Sequence, residues 1–326
     1  MKILVTGASG FTGSHLARAL LGAGHAVRAL VRPASALPGD LAGSVERFDG
    51  DLTDPAACRE AVRGCKVVYH IAALYRAEGV PAKRFFDVNA GGTRNVLEAC
   101  EAEGGIERAV HCSTVGVHGH LERVPGDETA PIRPGDVYQR SKLKGELAAL
   151  EFAADRGLPV SIFRPTGIYG PGDTRLLKFF RLVSKRRPLI GSGNPHYHLT
   201  HIDDLVEGIL LCGTHPDAVG ETFILGGPEA PTLREWYDVV ARVLGVKPSR
   251  MRLPVWPFLA AGALCEATFK PLGKEPPIHR RSVHFFTHDR WFDTSKARRV
   301  LGFEPKIGLE QGMRSTAEWY RENGML

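Results

Sequence analysis

The chain has 326 residues, 43% of them hydrophobic and 24% charged, which is enough to bury a full core and predicts two lobes. Its 42 basic and 36 acidic residues leave a net charge of +6, a mild excess that suits an anionic small molecule without demanding nucleic acid. Six cysteines (Cys58, Cys65, Cys100, Cys112, Cys212 and Cys265) form no Cys-x-x-Cys, so reduced thiols, no metal site and a cytoplasmic location are expected.

In chain order, Lys2-Ile3-Leu4-Val5-Thr6 is a short β-branched run that predicts a buried strand and leaves no room for a signal peptide. It runs into Gly7-Ala8-Ser9-Gly10-Phe11-Thr12-Gly13 and a helical pattern (Leu16, Ala19, Leu20) that stops at Gly24. Strands are predicted at 25–31, 67–71, 108–113 and 160–164, with a third strand before Asp51; helices are predicted near 55–63, 82–103 and 137–156. Such alternation predicts a doubly wound parallel α/β sheet, covered on both faces by right-handed crossovers. A dinucleotide-type domain over 1–165 is therefore expected, with a smaller, interleaved carboxyl-terminal α/β lobe over 166–326.

After Pro165 the rhythm gives way to glycine and proline loops at 167–172 and 191–195, with helices near 174–186 and 203–212. The chain is expected to return to the sheet around 201–226, where Thr222-Phe223-Ile224-Leu225 reads as a strand. The apolar run 253–265 is too short to span a bilayer, which takes about 20 such residues. It lines an apolar pocket, forms a membrane-touching flap or packs the second lobe; Phe285, Phe286 and Trp291 share that ambiguity. Residues 309–322, with Leu309, Met313 and Trp319 among polar residues, read as an amphipathic closing helix. Lys185-Arg186-Arg187 reads as a solvated helix end rather than a phosphate patch.

Three segments carry chemistry. Glycines between strand and helix let backbone approach a pyrophosphate, whose charge the helix amides then bind. Tyr138 and Lys142 lie one helical turn apart, so phenol and ammonium share a face, and the cation brings the phenol's pKa towards the working range. Ala109-Val110-His111-Cys112-Ser113-Thr114 ends an apolar strand in hydroxyls that can hold a substrate oxygen beside that phenol.

In this order and spacing the three resemble the extended branch of the short-chain dehydrogenase/reductase superfamily. Asp51-Leu52-Thr53-Asp54, His70-Ile71-Ala72-Ala73, Asn89-Ala90-Gly91-Gly92-Thr93 opening a helix, Arg164-Pro165 and Tyr169-Gly170-Pro171-Gly172 extend the likeness over nearly the whole chain. The carboxyl-terminal succession is similar to the 3β-hydroxysteroid and sterol-4-carboxylate dehydrogenase group, which keeps company with the dihydroflavonol reductases.

The resemblance implies a Rossmann fold, a nicotinamide coenzyme and a role for each residue. Tyr138 exchanges the proton of the reacting oxygen. Lys142 lowers the phenol's pKa and holds the nicotinamide ribose. Thr114, five residues before Gly119, hydrogen-bonds the substrate oxygen, with Ser113 the near alternative. Asn89 helps organise the site or simply caps its helix. Coenzyme contacts fall on Gly7, Ser9, Gly10, Phe11, Thr12, Gly13, Ala72, Ala73, Lys142 and Pro165, with Asp51 and Leu52 facing the adenine. Where NAD-preferring folds place an acid at the end of strand two, this chain has Val31 and then Arg32, so NADP is expected over NAD.

The implied reaction interconverts a secondary alcohol and a ketone on an apolar or amphipathic small molecule, sterol-like or a long-chain β-keto acid. The alternative is a nucleotide-sugar 4-epimerase holding NAD tightly. Sugar members usually carry an Arg-Asp pair where this chain has Tyr197-His198, a poor diphosphate clamp, although Arg175, Arg181 or Arg187 would compensate. Val115 follows Thr114 where dehydratases need an acid, so dehydration is not expected. A homodimer through the helix bearing Tyr138 is allowed by the resemblance.

Overall fold

The computed structural model describes residues 1–76, 79–269, 283 and 285–326. Its strands are β1 (Lys2–Thr6), β2 (Ala26–Val31), β3 (Glu46–Asp49), β4 (Val67–His70), β5 (Arg108–Cys112), β6 (Val160–Pro165), β7 (Gly167–Tyr169), β8 (Leu189–Ile190), β9 (Leu199–His201), β10 (Thr222–Leu225) and β11 (Arg252–Leu253). Seven of them form one sheet in the order β10-β6-β5-β4-β1-β2-β3, every pairing parallel. Two small pairs, β7 with β9 and β8 with β11, lie apart.

Ile3, Leu4 and Val5 are all buried, because the central strand is covered on both faces and must be apolar on both. One face packs on α1 (Phe11–Gly22) through Leu16 and Leu20, together with Leu205 and Ile209, which come from a later helix (Ile202–Thr214). The other packs on α2 (Pro55–Val62), then on a helix at Gly92–Glu103 and on one at Val137–Arg156, through Ala61, Val96, Leu97 and Phe152. A third cluster, with Phe180, Trp236, Tyr237, Met313 and Tyr320 at its centre, lies between the helices Leu177–Ser184, Leu233–Leu244 and Leu309–Glu322. Strand order reverses between β1 and β4, and ligands of open parallel sheets bind in the crevice at such a switch point.

The helix expected over 82–103 is interrupted. It runs as α3 (Ala82–Phe86), a π turn at Asp87–Gly91, and α4 (Gly92–Glu103). The π turn pushes a carbonyl towards the next helix, α5 (Val137–Arg156): a Cβ on Gly145 would stand 2.3 Å from the Asn89 oxygen. Glycine at 145 thus permits the helix bearing Tyr138 to lie directly against the widened turn.

The apolar run 253–265 joins the second lobe at its start, where Leu253 of β11 pairs with Ile190 of β8 and accepts from the Gly191 amide at 2.8 Å. After α6 (Leu177–Ser184), α7 (Ile202–Thr214) and α8 (Leu233–Leu244), it forms most of α9 (Trp256–Phe269), where Trp256 is 72% and Leu264 66% exposed. Among the described residues no helix is long and apolar enough to cross a membrane.

Candidate active site

The first turn is built so that backbone touches backbone. Gly7 adopts φ +81°, and a Cβ there would lie 2.8 Å from the Ala72 nitrogen at the end of the β4 segment; a Cβ on Gly13 would lie 2.1 Å from the Gly7 carbonyl. Gly10 donates its amide to the Gly7 carbonyl at 2.9 Å and caps α1 without a side-chain bond. No acid occupies the first turn of α1, so its orphan amides and positive end are left for an anion. The cradle thus fits a dinucleotide pyrophosphate.

A cleft of about 1300 Å³ opens there. It takes in Gly7, Ser9, Gly10, Phe11, Thr12, Gly13, Arg32, Asp51 and Leu52, passes Ala72, Ala73, Ser113, Thr114, Tyr138, Lys142 and Pro165, and continues to Tyr197, Trp236, Phe285 and Arg290. Arg32 is exposed on its wall, in a loop braced by Arg47, which bonds Asp49 and the Ser35 carbonyl. Asp51 accepts from the Thr53 amide and hydroxyl at 2.9 and 2.8 Å, which fixes it beside Leu52.

Asp136 caps α5 by accepting from the Gln139 amide at 2.8 Å, setting Tyr138 and Lys142 on one face. Lys142 is buried and donates to the Cys112 carbonyl. Tyr138 meets the edge of Tyr75 with centroids 5.0 Å apart, and the Arg76 guanidinium lies 5.6 Å from its ring. Burial pushes the Tyr138 phenol well above its usual range, neighbouring Cys112 and Tyr75 add to this, and Arg76 opposes it. Burial also lowers the Lys142 ammonium. Arg76 is thus a cation beside the phenol that sequence reading did not name, and Lys142 donates to a carbonyl.

The two strand-end hydroxyls part company, as successive residues of an extended segment must. Thr114 accepts from the Gly116 amide at 3.0 Å and lines the cleft, with its own proton left to donate. Ser113, offered as the near alternative, is 2% exposed and donates to Glu146, so its hydroxyl is spoken for. That carboxylate pairs with Arg164, which also bonds His118 at 3.0 Å and the Glu128 carbonyl at 3.1 Å.

Asn89 does not cap or open a helix; it lies inside the π turn. Its side chain accepts from the Leu74 amide at 2.7 Å and donates to the Leu74 carbonyl and Ser141 hydroxyl at 3.0 and 2.9 Å. It thereby ties the segment leading into Tyr75 and Arg76 to α5 and is a positioning residue. Beneath the site, His70 bridges Thr6 at 2.8 Å and Thr93 at 3.0 Å, and burial lowers it to about 3.

Several cleft residues were not foreseen. Arg290 donates to the Tyr197 phenol at 2.6 Å, so a cation does stand where a neutral Tyr-His pair was read. Arg175 reaches the cleft, whereas Arg181 bonds the Met325 carbonyl elsewhere. Tyr75, Arg76 and Arg290 carry no local signal, because only the fold brings residues so distant in sequence together.

The sequence profile of the NAD dependent epimerase/dehydratase family matches residues 3–226. The chain is 31% identical to a 3 beta-hydroxysteroid dehydrogenase/Delta 5-->4-isomerase of Mycobacterium tuberculosis, covering 98% of this chain and 90% of that one. It is 32% identical to a 2-alkyl-3-oxoalkanoate reductase of Stenotrophomonas maltophilia, covering 96% and 98%. Among solved structures, gox2253 superposes with a TM-score of 0.85 at 30% identity over 99% of both chains.

Proposed function

The chain belongs to the NAD dependent epimerase/dehydratase family, the extended short-chain type, and we propose that its reaction interconverts a secondary alcohol and a ketone on an apolar or amphipathic substrate. The observation that carries this is the apolar share of the cleft lining, Tyr75, Leu199, Trp236, Phe285 and Phe292, with Tyr75 edge-on to Tyr138. Such a lining gains by covering apolar surface, at about 25 cal/mol per Å² removed from water. The relatives named for a hydroxysteroid and a 3-oxoalkanoate support the same class.

The glycine turn would hold the coenzyme's pyrophosphate, Asp51 and Leu52 its adenine side, and Lys142 its nicotinamide ribose. A bound nicotinamide dinucleotide supplies or removes hydride at the substrate carbon. Tyr138, whose phenol burial pushes upward, donates its proton to the ketone oxygen in reduction. Thr114 donates a hydrogen bond to the same oxygen and orients it. Asn89 holds the segment from Leu74 in place against α5.

NADP(H) is the preferred coenzyme in this reading, since an exposed guanidinium at Arg32 rewards a 2′-phosphate and gains nothing from a hydroxyl. Arg32→Ala should raise the Kd for NADPH about tenfold or more and leave NADH within about twofold, because charge-assisted bonds contribute roughly 1.5–3 kcal/mol. A strong NAD preference untouched by Arg32→Ala would end that assignment.

Coenzyme oxidation followed at saturating NADPH over steroid ketones, 3-oxo acids and nucleotide sugars tests the function. Net oxidation with the first two, and none with sugars, is expected. The second reading, a 4-epimerase, is favoured by Arg175 and Arg290 in the cleft. It requires coenzyme that stays bound through purification and sugar turnover without net oxidation.

A further inference from the structure

Cations gather in the cleft around Tyr75 and Tyr138, at the border of the glycine turn. Tyr75 stands there 47% exposed, edge-on to Tyr138. The Arg76 guanidinium lies 5.6 Å from the centroids of both rings, and that of Arg175 lies 5.7 Å from Tyr75 and 5.6 Å from Phe11. Two guanidiniums from distant parts of the chain therefore flank one phenol ring that touches Tyr138.

Each is aimed by a carboxylate. Asp136 lies 3.2 Å from Arg76, and buried Asp173 lies 2.7 Å from Arg175, which also donates to the Ile168 carbonyl at 3.0 Å. The arginine side chains themselves remain 34% and 42% exposed. A guanidinium offers five N–H donors in a fixed fork, more than these contacts use, and the fork matches a carboxylate.

Resting on the alcohol–ketone reading above, we propose that Arg76 and Arg175 form a carboxylate site beside Tyr138 and that the substrate is a β-keto acid or its 3-hydroxy acid. A carboxyl carbon two C–C bonds from the reacting carbon lies about 2.5 Å away from it. That distance brings it into the space the guanidiniums border when the ketone oxygen meets Tyr138. In reduction the carbonyl π bond opens, its carbon gains hydride from the reduced nicotinamide, and its oxygen gains the Tyr138 proton, which solvent restores. The carboxylate stays ionised and is only held.

The test uses the coenzyme-loaded enzyme with 3-oxooctanoate and its methyl ester as substrates, and 3-hydroxyoctanoate and its methyl ester as titrants in calorimetry. Acid over ester by at least tenfold is expected in both kcat/KM and affinity. Arg76→Gln and Arg175→Gln should each cut that preference about tenfold, chiefly through KM. Equal handling of acid and ester, or preferential binding of UDP lost in the same variants, overturns the proposal. Acid-selective binding without any coenzyme turnover would sink the redox reading while leaving the carboxylate site standing. Reduction of neutral ketones with no advantage to the acid would do the reverse.

Discussion

Gly7 and Gly24 separate two effects that glycine substitutions usually confound. Both hold φ near +80°, but a Cβ on Gly24 meets nothing within 4 Å, whereas one on Gly7 would sit 2.8 Å from the Ala72 nitrogen and 2.9 Å from its Cα. Gly24→Ala should cost only the left-handed backbone term, about 1–2 kcal/mol. Gly7→Ala adds a collision with main chain that must give by about half an ångström, and such overpacking costs a further ~1–3 kcal/mol. The total for Gly7→Ala is then roughly 2–5 kcal/mol. Because β1, α1 and the segment after β4 meet at this turn, the displacement closes the pyrophosphate cradle. Coenzyme affinity should fall more than tenfold, or about 1.4 kcal/mol, in Gly7→Ala and stay within about twofold in Gly24→Ala. Titration of reduced-coenzyme fluorescence gives the affinities and urea midpoints give the stabilities. Undiminished binding by Gly7→Ala, or an equal loss in both variants, would refute the cradle.

Other outcomes follow from the same contacts. His70, neutral and held between two threonines, has a folded pKa of about 3 against an ordinary 6.5. Its contribution is complete above pH 6.5 and is lost as pH falls towards 3, by several kcal/mol on linkage grounds; urea midpoints against pH should show this slope in the wild type and a shallower one in His70→Gln. Glu146→Ala strands the Arg164 guanidinium and should cost about 3–5 kcal/mol, whereas Glu146→Leu with Arg164→Met should cost far less; a thermal or urea melt distinguishes them. Thr114→Ala should lower kcat about a hundredfold, while Ser113→Ala should act chiefly on stability, by roughly 1–2 kcal/mol. The reverse assignment of kcat losses would exchange the two hydroxyls' roles.

Legibility tracked the range of the interactions. The opening strand, glycine turn and helix were readable because their signals lie within one short segment, and Tyr138 and Lys142 because helical spacing alone puts them on a face. The choice between Ser113 and Thr114 was not readable: neighbours in an extended segment face opposite ways, and only the buried Glu146–Arg164 pair shows which way is inward. The π turn around Asn89 was missed because the apolar period of 82–103 tolerates one extra residue, and the glycine that accommodates its carbonyl, Gly145, lies on another helix. Arg175 was named from sequence as a cleft cation, but Arg76 and Arg290 line the same cleft from other loops, and no spacing rule could gather them. The apolar stretch 253–265 left pocket, flap and packing roles open, because composition does not say which way Trp256 and Leu264 face; both face outward.

The claim that Tyr138 moves the proton is tested most directly by a single-turnover reduction of 3-oxooctanoate with deuterated NADPH by wild type and Tyr138→Phe. The account predicts deuterium at C3 of the product in the wild type. In the variant, coenzyme affinity should stay within about twofold and the rate should fall about 10²–10⁴-fold. A variant that reduces ketone at a rate near that of the wild type, or a wild type that places no deuterium at that carbon, would contradict it.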